Sequence, residues 1–379
     1  MLNNEFPPLG GGTGRVNLEL LKVLAKNENL QIDLVTSEPE EGRKEKIDLF
    51  SDNINIYYVK ASVTNNHHSN IFNLLLYSLN AFILARRLTS INGYSVCLSW
   101  CTLPAGFVGV LLKTLYKIRL VTRISGPDIP YFEKRYRFIY PVLTPILKLT
   151  WRYCDKLIVK CSYENEKLLN LGVVKSKINF IPNGVDNILF TPVGSKEVIK
   201  NQTFKLVYVA RLVARKGQEM LIEVVGDLLK EGLDIELHLV GKGDEECNYK
   251  KLAGNLNLNK KIIFYGYVNH ESLKEIYSMC HAFISASDAE GMSVAVLEAL
   301  ACGLPVVAPR DIGLNELVRE GESGFLYDKG NKEGLKEKIK NLFSDSSIYN
   351  KFSAASRKIS EEYSWKKAAD LYLDILTEN

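Results

Sequence analysis

Residues 285–307 read SASDAEGMSVAVLEALACGLPVV, and their reading decides the fold. The apolar run at 282–285 is a short strand, and the loop after it carries Glu290 and a freely turning Gly291. Ser293 stands where a helix cap belongs, with helix from about Val294. Glu298 falls one turn inside that helix, beside Leu297, Ala299 and Leu300, where a carboxylate is costly unless something pairs with it. Past Cys302-Gly303 a further strand begins at Pro305–Ala308. Strand, acidic loop and helix N-terminus are the parts with which an open α/β sheet holds a phosphate. The amides of Gly291, Met292 and Ser293 can receive its oxygens, and a carboxylate within the helix can accept two hydrogen bonds from a ribose diol. An exposed helical glutamate without a ligand fits the spacing equally well, but not the oily neighbours.

Outward from that stretch the same alternation covers the chain. In the second half, strands at 205–210, 235–240, 262–265, 282–285 and 305–308 alternate with helices at 217–230, 245–255, 271–280, 293–302, 313–320 and 332–343. In the first half, strands at 32–36, 54–59, 94–99, 120–124, 156–159 and 178–182 alternate with helices at 16–26, 71–88, 104–116, 142–153 and 162–171. Short buried runs separated by helices are βαβ units with a parallel sheet. The turn dipeptide Asn183-Gly184 and the polar stretch 194–203 put the boundary near 186. An amphipathic helix over 349–376 ends the chain. The sequence thus predicts an N-terminal Rossmann-like domain over 1–185, a second over 186–360, and a C-terminal helix over 361–379. One irregularity stands out. A doubly wound domain opens with a strand before its first glycine-rich loop, and MLNNEF is too short and polar to be one. The first strand is therefore expected to be missing, either because this start is internal to the gene or because the domain lacks it.

Two further clusters could carry chemistry. Leu9–Arg15 (LGGGTGR) has four glycines ahead of a helix, so the backbone can approach a ligand there, although a tight turn with no ligand is an equal reading. ARLVARKG (210–217) follows a strand and places Arg211 and Lys216 where open α/β sheets bind ligands. A guanidinium fork beside an ammonium suits a diphosphate; on these residues alone a solvated basic loop is favoured.

Taken in order, these motifs resemble the retaining family-4 glycosyltransferases of the GT-B fold. Glu290 and Glu298, with seven residues between them, match the EX7E signature of that family. The glycine-rich loop, SGPDIP (125–130), IPNGVD (181–186), ARLVARKG and the Trp365 tail fall in family order over essentially the whole chain. The resemblance implies two Rossmann-like domains facing a central cleft, with the last helix crossing back onto the first. It implies a retaining hexosyltransferase that moves a sugar from a nucleotide-diphosphate sugar to a glycan or lipid-linked acceptor, in cell-surface polysaccharide biosynthesis. Arg211 and Lys216 would bind the diphosphate, Glu298 the ribose and Glu290 the transferred sugar. The base would rest near Tyr265–Val268, Gly11 and Gly12 would lie beside diphosphate and sugar, and Asp128 would line the acceptor side. No histidine occurs in SGPDIP, so the histidine contact of relatives is not carried over.

Composition bounds the rest. With 379 residues, 46% hydrophobic and 24% charged, the chain is an ordinary globular protein, which excludes collagen-like, disordered and disulfide-scaffold classes. A net charge of +4 is too small to argue for nucleic acid. Residues 1–185 carry 23 Lys/Arg against 15 Asp/Glu, and residues 186–379 carry 25 against 29, so the first half is basic and the second acidic. KRYRFIYPVLTPILKLTWRYCDK (134–156) mixes cations with aromatic residues and suits peripheral contact with an anionic membrane; a core helix flanked by solvated lysines is an equal reading. The longest oily segment, 70–85, is interrupted by Asn73 and Asn80 and falls short of a span. Seven scattered cysteines and the lack of a signal peptide at this start predict a cytoplasmic protein, at most peripheral at the inner membrane face. No DxD pair lies near a strand end, so neither metal nor cofactor is expected, and Arg211, Lys216 and a helix end would stabilise the leaving nucleotide. An inactive, binding-only protein and a nucleotide-sugar epimerase or phosphorylase remain alternatives. A nicotinamide dehydrogenase is disfavoured because no GxGxxG follows a strand.

Overall fold

The computed structural model describes residues 1–9, 11–39, 46–61, 71–132, 136–193, 202–310 and 313–378. Gly10 of the glycine-rich loop, Lys134 and Arg135 of the basic stretch, and linker residues 194–201 lie outside the described residues. The chain forms two compact units, Met1–Asn183 with Trp365–Asn379, and Gly184–Ser364.

In the first unit, β1 (Ile32–Ser37), β2 (Lys46–Ser51) and β3 (Ile54–Val59) pair in the order β1-β3-β2, and β4 (Val96–Trp100), β5 (Arg119–Arg123), β6 (Lys156–Val159) and β7 (Ile178–Phe180) pair in sequence order. All are parallel except β2, which runs antiparallel to β3. Its sequence, KIDLFS, mixes Ile47, Leu49 and Phe50 with polar residues, and the sequence reading assigned no strand to it. Residues 1–3 join the two groups. Leu2 bridges Val35 of β1 and Ser99 of β4; its N–H donates to the Leu98 carbonyl (2.9 Å) and its carbonyl accepts from Trp100 (2.9 Å). Val35 donates to Met1 (2.9 Å) and Asn3 to Val35 (3.1 Å). The expected absence of a first strand is therefore corrected: the segment read as too short and polar holds the strand position, because two facing edges are there to receive its backbone groups.

The helices of this unit are α1 (Gly12–Leu24), α2 (Ile71–Asn92), α3 (Phe107–Tyr116), α4 (Tyr140–Tyr153), α5 (Ser162–Asn170) and α12 (Trp365–Thr377). The connections β3–α2–β4, β4–α3–β5 and β5–α4–β6 all step the same way across the sheet, so right-handed crossovers set α2, α3 and α4 on one face. α1 steps the other way and packs on the opposite face together with α12. There Tyr372 stacks on Trp100 (ring centroids 6.3 Å apart), Arg119 donates to the Ile375 carbonyl (3.1 Å) and Lys156 meets Glu378 (3.0 Å).

The second unit is one parallel sheet in the order β10-β9-β8-β11-β12-β13: β8 (Phe204–Val209), β9 (Ile235–Val240), β10 (Ile262–Gly266), β11 (Ala282–Ile284), β12 (Val306–Pro309) and β13 (Gly324–Tyr327). Around it lie α6 (Gln218–Lys230), α7 (Glu246–Asn255), α8 (His270–Met279), α9 (Val294–Ala301), α10 (Lys332–Ser344) and α11 (Ser346–Ser360). Leu206, Leu237, Ile284, Val306 and Val307 are wholly buried, the continuous apolar strands of a sheet covered on both faces. The helix expected at 313–320 is a run of turns that buries Leu314, Leu317 and Val318, and the four-residue β13 after it carried too little period to be read. The helix expected over 349–376 is two, α11 and α12. A turn over 361–362 separates them, and beyond it Val185 pairs with Ser364 and donates to the Tyr363 carbonyl (3.0 Å), where the sequence has neither glycine nor proline.

Asp128 ties the loops at the carboxyl ends of β4 and β5. Its oxygens accept from the Thr102 amide (3.0 and 2.9 Å) and the Ser125 amide (2.8 Å), while Trp151 of α4 donates to the Thr102 hydroxyl (2.8 Å). Burial outweighs these donors and the Lys160 charge, and raises the Asp128 carboxyl to about 6. The folded state then binds a proton that the unfolded chain releases near 4, so this group's contribution is fully present below about pH 4 and is lost as pH rises through about 6, a difference on the order of 3 kcal/mol. In urea unfolding at pH 4.5 and 7.5, Asp128→Asn is expected to lose less stability than wild type across that interval. An unchanged gap between the two proteins would show that Asp128 stays ionised throughout.

Candidate functional site

In the second unit the chain winds from β8 to β9 and β10 on one side, and from β11 to β12 and β13 on the other. The switch point lies between β8 and β11, where the loops that follow both strands open side by side. These loops carry the predicted residues. After β8, Val213 donates to the Arg211 carbonyl (3.0 Å), as does the buried Gln218 side chain (2.8 Å), and a short turn over Ala214–Lys216 ends at Gly217. Gly217 has φ +68°, and a Cβ there would stand 2.2 Å from the Ala286 carbonyl, so only glycine lets the two loops close together. Asp288 donates from its amide to the Arg215 carbonyl (2.8 Å). That contact sets Lys216 against Glu290: the ammonium is in direct ionic contact with Glu290 Oε1, and both side chains are largely shielded. Burial and then the Glu290 charge push the nearby Tyr208 hydroxyl up, so it stays protonated.

Glu290 and Gly291 are backed in turn by Gly313, whose Cβ would meet the Gly291 carbonyl at 1.7 Å. Met292 is buried, and Ser293 occupies the cap position of α9 without a side-chain capping bond, so the expected cap is positional only. Glu298 is buried in α9 at 4% exposure, and its expense is met by α8. His270 Nε2 lies 2.9 Å from Oε1 and Tyr277 donates to Oε2 at 3.0 Å, two side chains that stand two turns apart on one face of α8. Phe190 packs edge-on to both rings (4.9 and 5.8 Å). Burial and the Glu298 charge hold Tyr277 protonated. One bond to each oxygen leaves a lone-pair position on each for a further donor.

The sequence reading missed His270 and Tyr277, since nothing local marks two residues of one helix as partners of a carboxylate on another. It also missed the loop after β9. Gly241 (φ +133°) and Gly243 lie against the Ala210 and Leu212 carbonyls, where a Cβ on either would fall at 2.1 Å, and Leu212 donates to the Lys242 carbonyl (3.0 Å). GKG directly after an apolar strand was the available signal. Lys242 passes within 3.5 Å of the Cβ position of Gly266, at the end of β10, and the half-buried Val268 follows. Arg211, Lys216, Glu290, Gly291, Met292, Ser293, Glu298 and Val268 thus all belong to the carboxyl edge of one sheet. Gly11, Gly12 and Asp128 belong to the first unit. Gly11 and Gly12 open α1, and a Cβ on either would meet nothing within 4 Å. Asp128, expected to line the acceptor side, is turned inward at 2% exposure and ties loops together, because the amides that satisfy it lie behind the surface.

Residues 10–187 match the family described as Glycosyltransferase Family 4, and residues 194–359 match Glycosyl transferases group 1. An uncharacterized glycosyltransferase of Methanocaldococcus jannaschii is 27% identical over 317 residues, 82% of this chain and 83% of that protein. Among solved structures, sucrose-phosphate synthase from Thermosynechococcus elongatus has a TM-score of 0.85 at 21% identity, covering 98% of this chain and 95% of that one. Anabaena Alr3699/HepE, solved in complex with UDP and glucose, has a TM-score of 0.76 at 18% identity, covering 100% and 98%. At such identities the likeness is one of fold, two Rossmann-like units of the GT-B type. Each half of the chain meets its own family, and together they span most of it: the chain belongs to the family 4 and group 1 glycosyltransferases.

Proposed function

We propose that the protein transfers a hexose, with retention at the anomeric carbon, from a nucleotide-diphosphate sugar to a glycan or lipid-linked acceptor of cell-surface polysaccharide synthesis. The observation that carries this reading is the contact of Lys216 with Glu290 at the switch point, beside a buried Glu298 already held by His270 and Tyr277. Lys216 and Arg211 receive the diphosphate, Glu298 the ribose and Glu290 hydroxyls of the transferred sugar. Gly291, Met292 and Ser293 offer amides, and the base rests near Val268. Asp128 acts by fixing the loops on which the acceptor would rest. The bond from the anomeric carbon to the phosphate oxygen breaks with its electron pair going to the nucleoside diphosphate. The acceptor oxygen bonds that carbon from the same face, and its proton passes to the departing phosphate. Lysine, arginine and a helix end supply the positive charge, so this reading assigns the neutralisation to the chain rather than to a metal or cofactor.

The acceptor side falls to the basic first unit. In α4, from the basic stretch 134–156, Val142 and Leu149 are exposed together with Lys148 and Arg152, which supports peripheral contact with an anionic membrane from the cytoplasmic side.

Glu290→Ala and Lys216→Ala are each expected to lower turnover at least about a hundredfold, on the order of 3 kcal/mol in the transition state, with circular dichroism unchanged; near wild-type turnover in either variant would remove the switch-point cleft from the mechanism. Tyr277→Phe leaves one Glu298 oxygen without its partner and is expected to weaken nucleoside diphosphate binding about tenfold by calorimetry, more than it lowers turnover at saturating donor. In a thermal-shift panel of UDP, GDP and ADP, one nucleotide should raise the melting temperature by a few degrees, with UDP tried first given the UDP complex of the Anabaena relative. Absence of any shift would sink the donor assignment, and binding without turnover of any donor sugar would favour a binding-only protein.

A further inference from the structure

Three helices standing side by side on one face of the first unit contain no acidic residue. α2, α3 and α4 have 22, 10 and 14 residues; their Lys/Arg are Arg86, Arg87, Lys113, Lys148 and Arg152, and Asp and Glu are wholly absent. α3 packs against both neighbours, and its Tyr116 donates to the Arg86 carbonyl (3.2 Å). Lys113 is drawn to Asp155 at the start of β6 (2.5 Å), and Arg86, Arg87, Lys148 and Arg152 lie exposed on the layer.

The outward side of this layer is apolar where a solvent-facing helix is normally polar. On α2, Phe72, Leu75, Leu79 and Ile83 are each more than half exposed, at spacings of three and four that form one stripe. On α4, Val142, Ile146, Leu149 and Tyr153 repeat the pattern. The residues Phe72–Asn92 are long and apolar enough to cross a membrane by length and composition alone. α2 is nevertheless pinned on its other side: Tyr77 and Ala81 are buried, the Tyr77 hydroxyl donates to the Val35 carbonyl (3.1 Å) and Asn80 to the Lys60 carbonyl (2.7 Å). A helix fixed to a sheet by one stripe and oily on the opposite one cannot span, but it can lie in an interface.

We infer that α2 and α4 together form a docking face for an anionic lipid bilayer, lying along its surface, with the α2 stripe entering the acyl boundary and the four exposed cations meeting the headgroups. The inference shares α4 with the peripheral contact proposed above and rests on that reading; what it adds is α2 as the principal apolar anchor. Charge selects the occupant. An isologous pair of chains meeting through this face would set arginine and lysine against their own copies with no carboxylate of the layer to pair them. A bilayer rich in anionic lipid supplies the missing charge and the apolar depth at once.

The test uses the full chain in co-sedimentation with vesicles of phosphatidylcholine, with and without phosphatidylserine. Wild type should bind the anionic vesicles at least about tenfold more strongly, less so as salt rises. The triple variant Leu75→Ser, Leu79→Ser, Ile83→Ser, changed only at exposed positions, should lose at least about tenfold in partitioning with an unshifted thermal melt. Lys148→Gln with Arg152→Gln should lose binding to anionic vesicles while keeping the weak binding to neutral ones. If the α2 variant partitions like wild type while the α4 variant does not, the role of α2 is overturned and the α4 contact stands. If wild type binds neither vesicle, both fall. If wild type is a dimer that the α2 variant disperses, the face belongs to a second copy and the lipid inference is wrong.

Discussion

The contact between Lys216 and Glu290 is the constraint around which the second unit is arranged. It joins the loop after β8 to the loop after β11 at the one place where the sheet's winding reverses. Both loops are held from behind by glycines that admit no side chain, Gly217 against Ala286 and Gly313 against Gly291, so neither end of the pair can drift. With both side chains mostly shielded, breaking this pair is more costly than breaking an exposed one. Under the donor role proposed for Lys216, a diphosphate would compete with Glu290 for an ammonium already held in place, and that prior order would reduce the entropy binding must otherwise supply.

A second carboxylate follows the opposite logic. Glu298 is buried within a helix and is tolerated because a histidine and a tyrosine from α8 each meet one oxygen. The spacing from Glu290 to Glu298 therefore records two different solutions to the same problem, an ionic contact across loops and a hydrogen-bonded clamp between helices. Only the first leaves its acid at the opening of the sheet.

Most of the architecture was legible because buried parallel strands and amphipathic helices have distinct periods, and the switch-point loops announce themselves by glycine beside charge. What escaped depended on long-range pairing. Residues 1–3 become a strand only because β1 and β4 wait on either side. β2 exists as an antiparallel partner of β3, and β13 is four residues long. The break between α11 and α12 comes from Ser364 meeting Val185, not from any local breaker. At the site, Glu290 and Glu298 stood out by their spacing and oily neighbours, and Arg211 and Lys216 only through the resemblance of the ordered motifs, whereas His270 and Tyr277 did not stand out at all, since α8 shows only an ordinary amphipathic pattern. Asp128 was readable as an acid of interest, but its inward turn follows from amides on a loop 26 residues away.

The modest net charge of +4 averages two different surfaces. In the second unit, cations of α10 are matched by acids of the helix beside it: Lys332 meets Glu223, and Lys336 and Lys340 both meet Glu231 (3.2 and 2.7 Å). Such paired charges cancel within a Debye length and project little field. The first unit differs between its faces. On the α1 and α12 side acids are again matched by cations, Glu19 by Arg15 and Lys22, Asp370 by Lys366 and Glu378 by Lys156, whereas α2, α3 and α4 hold cations and no acid of their own. The exposed stripes of α2 and α4 stand on those same helices, so the lipid contact inferred above would draw on cations and apolar area at one face.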